Sequence, residues 1–567
     1  MSNDFTGAYG VPDPAAALRA QGVAPAWHDA RAAFGGGSVW ADRAGQVVAG
    51  GEVILDNAAE LRQELAWPDA ADGQLVAELW ARHGMEGISR ARGMYAVALW
   101  DARQNTLTLL RDAVGARTLY YAHQGSAWWF GTRLRTVRRC PIVSDALSLS
   151  AMQQYLICAF VPGEQTLWRD IREVRPGTLL KAPQGETHTF WEPTERPWDP
   201  AESLEDHAAR LRSVLESAVR DALPANGPTG VFLSGGLDSS LVAALVARDA
   251  VGPVHTFAIH FGAHLPHELE FSGLVAQHCR TQHHIIELPS KQIRDTLFET
   301  LAALDDPIGD PLTVPNLILG RAAARETNTI LNGEGGDPCF GGPKNIPMLL
   351  HALYGSPIGD THEASGATAY LRSFQKCYDD LPRLLTPDVQ TALRELPPPE
   401  SLVTPFLEDS SLPHYLNRLM LLNTRLKGAD HILTKVNNLS SATGLLARSP
   451  LFDPRVVAAS FAIPPEYKLA GSHEKAVLKS AVRDLLPPSI LTRPKSGMLV
   501  PVQRWFQRDL KSYARRLLLG RDARTRPFFT QSVVKEWLAY RGGLWPRHGV
   551  KLWLLLTLEV WLRAQEK

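Results

Sequence analysis

The sequence predicts a two-domain α/β chain: a mainly antiparallel amino-terminal domain over residues 1–195, then a parallel α/β domain over 203–567 that carries a helical extension. Three observations predict it. Short alternating apolar runs crowd the region from about Val39 to His188, a proline-broken stretch follows, and beyond it buried-type strands alternate with helical stretches. At 567 residues the chain is too long for one ordinary core.

The runs "QVVAGGEVIL", "MYAVALWD", "TLTLLRD", "TLYYAHQG" and "AWWFGTRL" carry the strand-and-turn signature of antiparallel structure. In "FWEPTERPWDPAES", Pro193, Pro197 and Pro200 prevent regular structure, which places the linker there. Ser203, with Asp206 three residues on, resembles a capping box, and Leu204, Leu211, Leu215 and Ala218 form a helical stripe. "VHTFAIHF" and "TNTILN" read as buried strands, separated by helical stretches such as "ELEFSGLVAQHCR". From about 346 to 567 the chain reads as mostly helical, with no repeat or low-complexity tract.

Charge excludes some functions. Lys+Arg equals Asp+Glu at 59 each, so the chain has no overall electrostatic bias toward nucleic acid or acidic membranes. The five cysteines, Cys140, Cys158, Cys279, Cys339 and Cys377, show neither a C-x-x-C pair nor metal-ligand spacing, which suits a reducing compartment. "MSNDFTGAYGVPD" lacks a basic region followed by an apolar one, and "LWLLLTL" (Leu552 to Leu558) is too short to span a bilayer. The expectation is a cytoplasmic protein with no nucleic-acid and no membrane partner.

The chemistry concentrates in "VFLSGGLDSS", Val231 to Ser240. Val231 to Leu233 reads as a short central strand, Ser234 to Gly236 as a tight turn, and Asp238 onward as the first turn of a helix. Such a helix start presents free N–H groups and partial positive charge, glycines admit a close approach, and serine hydroxyls add donors, so the arrangement suits phosphate. Asp238 would repel bare phosphate unless it holds Mg²⁺ that the phosphates also bind. A Gly-Gly pair alone is commonly an ordinary turn; the full S-G-G-L-D-S-S between strand and helix is far more specific, and no G-K-[ST] follows as in a Walker A loop.

With this loop the chain resembles the asparagine synthetase family. "ARGMYAVALWD" and "RDAVGARTLYY" are similar to that family's amino-terminal, Ntn-hydrolase-like glutaminase domain, and "LNGEGGDPCFGG", "RSPLFDPR" and "LTRPKSGM" to landmarks of its pyrophosphate-loop ATPase domain. The resemblance implies an AMP-forming carbon–nitrogen ligase that joins a carboxylate to the α-phosphorus of ATP, releases pyrophosphate and lets an amine attack the acyl-adenylate. It implies that Ser234, Gly235, Gly236, Asp238, Ser239 and Ser240 hold the phosphates, with Leu233, Ile259 and Gly333 near the nucleoside and Asp238 and Asp337 on Mg²⁺. It gives Glu334 the role of positioning or deprotonating the amine, and Lys495 that of neutralising charge on the adenylating phosphate.

Other candidates are weaker. Cys339 has no partner base in the sequence and reads as a small buried thiol. His278, Cys279, His283 and His284 cluster in "QHCRTQHHIIE", but a helix end running into a strand accounts for them without metal.

The chain departs from the family at telling places. Where the glutamine-dependent members carry a cysteine after the initiator methionine, it has Ser2, and no cysteine precedes Cys140. Where they commonly read N-G-E, it has Gly50, Gly51 and Glu52, and no early R-G-P-D segment is recognisable. The first domain therefore looks like a glutaminase fold without glutaminase chemistry. Where the family often reads K-V-D-R and then E-x-R, "KVNNLSSATGLLAR" has Asn437 and Leu446, two charges fewer, which suggests an acyl substrate other than aspartate. The leading expectation is a ring-closing relative, similar to β-lactam synthetases and above all to lasso-peptide macrolactam cyclases, although β-lactam synthetases carry tyrosine at the Glu334 position. It implies a peptide substrate, with a leader peptidase or precursor-binding protein as partner. The alternatives are amidation of a small carboxylic acid by free ammonia and a catalytically silent ATP-binding scaffold.

Overall fold

The computed structural model describes residues 4–262, 265, 267–342, 345–354, 365–470, 473–494, 497–543 and 547–566. The chain divides into two compact units, one made of 1–148 with 163–193 and the other of 149–162 with 194–567.

The first unit is built on two six-stranded antiparallel sheets. Its strands are β1 (Thr6–Tyr9), β2 (Pro25–His28), β3 (Ala32–Gly35), β4 (Ser38–Ala41), β5 (Val47–Leu55), β6 (Gly93–Asp101), β7 (Thr106–Arg111), β8 (Tyr120–Gln124), β9 (Ala127–Gly131), β10 (Arg172–Glu173), β11 (Thr178–Ala182) and β12 (Glu186–Thr189). One sheet runs β10-β8-β9-β1-β3-β2 and the other β12-β11-β7-β6-β5-β4. Strand β6 shows why they stack. Side chains alternate across a strand, and here both sets are apolar. Ala96, Ala98 and Trp100 pack with Phe34 and Phe130 of the other sheet, while Tyr95, Val97 and Leu99 pack with Leu75, Val76 and Leu79 of the helix Asp72–Ser89. The strands before Val39 escaped the sequence reading because "TGAY", "PAWH" and "AAFG" are short and poor in β-branched residues.

The second unit is built on a parallel sheet of order β15-β14-β13-β16-β17: β13 (Thr229–Phe232), β14 (Val254–His260), β15 (Gln282–Glu287), β16 (Thr329–Leu331) and β17 (Leu446–Arg448). The helix Leu204–Ala222 leads into it. Its expected capping box is formed: Ser203 Oγ accepts from the Asp206 N–H at 3.2 Å, and the Asp206 carboxylate accepts from the Ser203 N–H at 2.9 Å. Leu211, Leu215 and Ala218 are buried, as the stripe requires, whereas Leu204 at the helix start is only half-buried. Edge strand β17 lies inside the region expected to be helical. Three residues carry too little periodicity to be seen, and pairing with β16 fixes them as a strand.

This strand order determines where a ligand fits. The chain runs outward from β13 through β14 to β15, then returns to the other side of β13 as β16, so the connections diverge at the carboxyl ends of β13 and β16. Parallel sheets bind ligands in the crevice at such a point. The apolar stretch "LWLLLTL" is core, since Leu552, Trp553, Leu554, Leu555 and Leu556 are fully buried in the helix His548–Ala564. Among the described residues no helix is long and apolar enough to cross a membrane.

Candidate active site

At the end of β13 the chain turns through Leu233 to Gly236 into the helix Leu237–Asp249. Gly235 has φ +82°, and a Cβ there would lie 2.5 Å from Ser272 N, so only glycine fits. A Cβ on Gly236 would meet only Ser234 Oγ, at 3.5 Å, so space remains beside the helix start. The serines brace the turn. The Ser234 N–H donates to Ser239 Oγ at 3.2 Å, Ser239 Oγ donates to Gly236 O at 3.2 Å, and the Gly236 N–H donates to Ser234 Oγ at 3.3 Å. Ser240 is fully buried in the first helical turn. Leu233 and Ile259 are buried at the ends of the adjacent strands β13 and β14, where the Leu233 N–H donates to Phe257 O at 2.9 Å.

The loop after β16 interlocks with this turn. A Cβ on Gly333 would lie 2.4 Å from Ser239 N, and one on Gly336 would lie 2.2 Å from Asp238 Cγ. Gly333 thus permits backbone contact and Gly336 leaves room for the Asp238 carboxylate, which brings Asp337 toward Asp238. A lysine joins them: Lys475 Nζ donates to Asp238 Oδ2 and Oδ1 at 2.6 and 2.8 Å and lies 2.7 Å from Asp337 Oδ1. Burial pushes the Lys475 ammonium down, but the two carboxylates outweigh it and hold it above its ordinary value. The sequence reading missed Lys475 because "HEKAVLK" looks like a charged helix start. The one signal was a lysine at a helix cap just before the buried Val477 and Leu478.

Glu334 belongs to a second charge cluster. Burial raises its carboxyl most; Lys435 and Lys427 oppose that rise, while Asp310 and Asp337 add to it. Lys435 Nζ donates to Asp310 Oδ2 at 2.6 Å, and His431 Nε2 lies 3.5 Å from the same oxygen. Burial pushes His431 down to about 4, leaving it neutral near pH 7, whereas Lys435 is held above its ordinary value against burial by Asp310 and Glu334. Glu334 is therefore a half-buried carboxyl of raised basicity beside a fixed cation, the character of a general base.

Lys495 lies outside the described residues. Its near neighbour Arg493 is tethered to the glycine turn, where Nη1 donates to Gly235 O at 2.9 Å, and the guanidinium stacks 3.8 Å above the Phe271 ring. Asn437 is buried on the helix Thr434–Thr443, and Leu446 opens β17. Cys339 is fully buried, and burial pushes its thiol up, away from reactivity. The structure thus gathers Ser234 to Ser240, Gly333 and Asp337 at one crevice.

The fit to magnesium can be judged on the donors. Mg²⁺ is commonly held by one or two carboxylates together with substrate phosphates and waters. Asp238 and Asp337 converge on one cation already, beside a turn suited to phosphate, so these residues fit.

In the first unit Ser2 lies outside the described residues. A Cβ on Gly50 would lie 2.3 Å from Phe5 Cε2 and 3.0 Å from Phe34 Cδ2, so aromatic rings fill the space a larger residue would need. Glu52 is paired with Arg117 at 3.2 Å.

Comparison with known proteins agrees with this architecture. The asparagine synthase family pattern matches residues 210–563, and the glutamine amidotransferase domain pattern matches 39–191. The chain is 23% identical over 548 residues to asparagine synthetase [glutamine-hydrolyzing] 1 of Bacillus subtilis, covering 91% of this chain and 85% of that one. It is 27% identical over 504 residues to a putative asparagine synthetase [glutamine-hydrolyzing] of Mycobacterium bovis, covering 81% and 76%. Among solved structures, a glutamine phosphoribosylpyrophosphate amidotransferase from B. subtilis is similar over 50% of this chain and 90% of that one, at 11% identity and a TM-score of 0.25, too slight to bear on the site. With the synthase match spanning most of the chain and taking in the serine-braced turn, this protein belongs to the asparagine synthase family, ligases that form carbon–nitrogen bonds with ATP and yield AMP.

Proposed function

We propose that this ligase takes no ammonia from glutamine and joins a carboxylate to an amine carried by the same substrate, as a lasso-peptide macrolactam cyclase does. The observation that carries the first half is Gly50: the ring of Phe5 occupies the space where an oxyanion-stabilising side chain would have to start. Asn437 and Leu446 support the second half, since a site with two fewer charges favours an acyl group larger or less polar than aspartate.

In this reading Ser234, Gly235, Gly236, Ser239 and Ser240 grip the pyrophosphate portion of ATP, and Leu233, Ile259 and Gly333 border the nucleoside. Asp238 and Asp337 would hold Mg²⁺, which when bound would offset phosphate charge. The substrate carboxylate attacks the α-phosphorus and pyrophosphate departs. Glu334 takes a proton from the amine as it attacks the acyl carbon, and AMP leaves. Lys495 offsets the charge on the adenylating phosphate and on the later intermediate. A leader peptidase or a precursor-binding protein would prepare the peptide.

A second reading rests on Glu334 itself. Asparagine synthetases carry a glutamate there, which favours amidation of a small carboxylic acid by free ammonia.

The deciding experiment is intact-mass spectrometry of a peptide encoded beside this chain, freed of its leader and incubated with the protein, Mg²⁺ and ATP, with Lys495→Ala as control. Loss of one water that needs both ATP and Lys495 supports the cyclase. An unchanged peptide, with AMP appearing only on addition of ammonium and a small acid, supports the second reading.

A further inference from the structure

Away from the crevice, toward the amino-terminal side of the same sheet, three side chains from separate elements converge. His255 projects from β14, His284 from β15, and Glu326 from the turn that follows the helix Thr313–Ala323, which packs against β14. His255 Nδ1 lies 3.1 Å from His284 Nε2 and 4.0 Å from Glu326 Oε2. One ligand atom from each residue falls within a span of 4.8 Å.

We infer that His255, His284 and Glu326 form a binding site for a divalent transition-metal ion of the zinc class, with the remaining coordination position open to water.

The distances suit this. Metal–nitrogen bonds of about 2.0–2.1 Å in tetrahedral geometry place neighbouring donor atoms ~3.3 Å apart. The two imidazole nitrogens are within a few tenths of an ångström of that separation. Glu326 must close a gap of about 0.7 Å toward His255 and of up to about 1.5 Å toward His284, and its side chain is 41% exposed on a flexible stem, so it can.

The rings are held in place before any ion arrives. His284 stacks on Phe257 at 4.8 Å between centroids and 14° between planes, and on His255 at 5.3 Å and 22°. Rings fixed by packing do not lose rotamer entropy on binding, which is the usual benefit of a preorganised site. Two imidazoles and one carboxylate are also a borderline donor set that selects zinc, cobalt or nickel over magnesium or calcium, whose preferred ligands are all oxygen.

Such an ion would stitch β14 and β15 to the turn that precedes β16. It would stabilise the folded sheet without touching the glycine turn, Asp238 or Asp337. Of the four residues clustered in "QHCRTQHHIIE", only His284 takes part. His283 is turned to Thr256, with Nδ1 2.9 Å from Oγ1, and His278 Nε2 lies 3.1 Å from Leu485 O.

The test uses the full chain, stripped with a chelator and dialysed, then titrated with Zn²⁺ by calorimetry and separately with Co²⁺ followed by visible absorption. We expect one equivalent bound, a rise in Tm reversed by chelator, and a tetrahedral Co²⁺ spectrum. His284→Ala and Glu326→Gln should each weaken binding by about tenfold or more, and a large excess of Mg²⁺ should not displace the ion. Glu326→Gln changes an exposed, nearly isosteric side chain, so its effect is not attributable to misfolding. No binding by the wild-type chain would reduce the cluster to a histidine–histidine hydrogen bond and overturn the assignment. So would stoichiometry, affinity and Co²⁺ spectrum that both substitutions leave unchanged.

Discussion

Asp238 and Asp337 share one ammonium. Lys475 Nζ lies 2.6 Å from Asp238 Oδ2 and 2.7 Å from Asp337 Oδ1, although the three residues come from the helix after β13, the short helix Gly336–Phe340 after β16 and the cap of the helix Ala476–Ala481. Each carboxylate makes the other costly, and the buried ammonium is costly alone; together they offset one another. The arrangement ties the two loops of the crevice through charge as well as through glycine.

Removing Lys475 should therefore be expensive twice over. Lys475→Met takes the shared ammonium from two carboxylates, so we expect a loss of about 3–5 kcal/mol in stability and a drop of roughly 10²–10³ in ATP–pyrophosphate exchange. Pairing it with Asp238→Asn should recover much of the stability and none of the exchange. Thermal unfolding and exchange measured on both variants check this; exchange at the wild-type rate in folded Lys475→Met would show that the lysine serves only the fold.

Glu334 should reveal itself by pH. Burial raises its carboxyl above the ordinary value, so between that value and the raised one the folded chain holds a proton that the unfolded chain has released. Stability falls with rising pH across that window, and above it the charged form costs the fold. Glu334→Gln removes this cost, so its Tm near pH 7 should match or exceed wild type. Amide formation, which needs the carboxylate, should fall by about 10²–10⁴. The acidic limb of the wild-type rate profile should sit above the ordinary carboxylate range and vanish in the variant. A Tm loss that parallels the activity loss would make Glu334 a structural group.

These sites were unequally legible in the sequence. The turn from Ser234 to Ser240 was readable because strand, glycines and helix cap are local features, and the same holds for the Ser203–Asp206 box. The glycines at 333 and 336 were visible as residues, but their reason was not: each admits the backbone or side chain of a loop about 100 residues earlier. Lys475 and the pairing of Asp310 with Lys435 depend on contacts 237 and 125 residues apart, which no periodicity encodes. Strand β17 was missed because pairing, rather than propensity, makes three residues a strand.

In the first unit the tight approach of Phe5 to Gly50 should resist substitution. Gly50→Ala puts a carbon 2.3 Å from the ring, so overpacking of about 1–3 kcal/mol is expected. Phe5→Leu in the same chain should relieve part of it. Urea unfolding of the single and double variants, analysed as a cycle, measures the coupling; additive losses would mean that the ring is free to move aside.

Lys468 offers a separate measurement, because it is wholly buried. Its Nζ donates to Asn417 Oδ1 at 2.6 Å and to Ser460 O at 2.8 Å. Burial pushes it down to about 7, with Glu195 and Glu466 pulling the other way. Between about 7 and its ordinary value the unfolded chain binds a proton that the folded chain does not, so this group makes stability rise with pH there and contributes no slope below about 7. The slope it adds is at most about 1.4 kcal/mol per pH unit. Lys468→Met leaves Asn417 Oδ1 and Ser460 O without this donor, at roughly 1–3 kcal/mol, so its absolute stability is not the informative quantity. Urea unfolding at intervals from pH 7.5 to 9 should give a shallower rise for Lys468→Met than for wild type. Parallel lines would mean that the ammonium keeps its proton in the fold, held by Glu195 and Glu466 against the cost of burial.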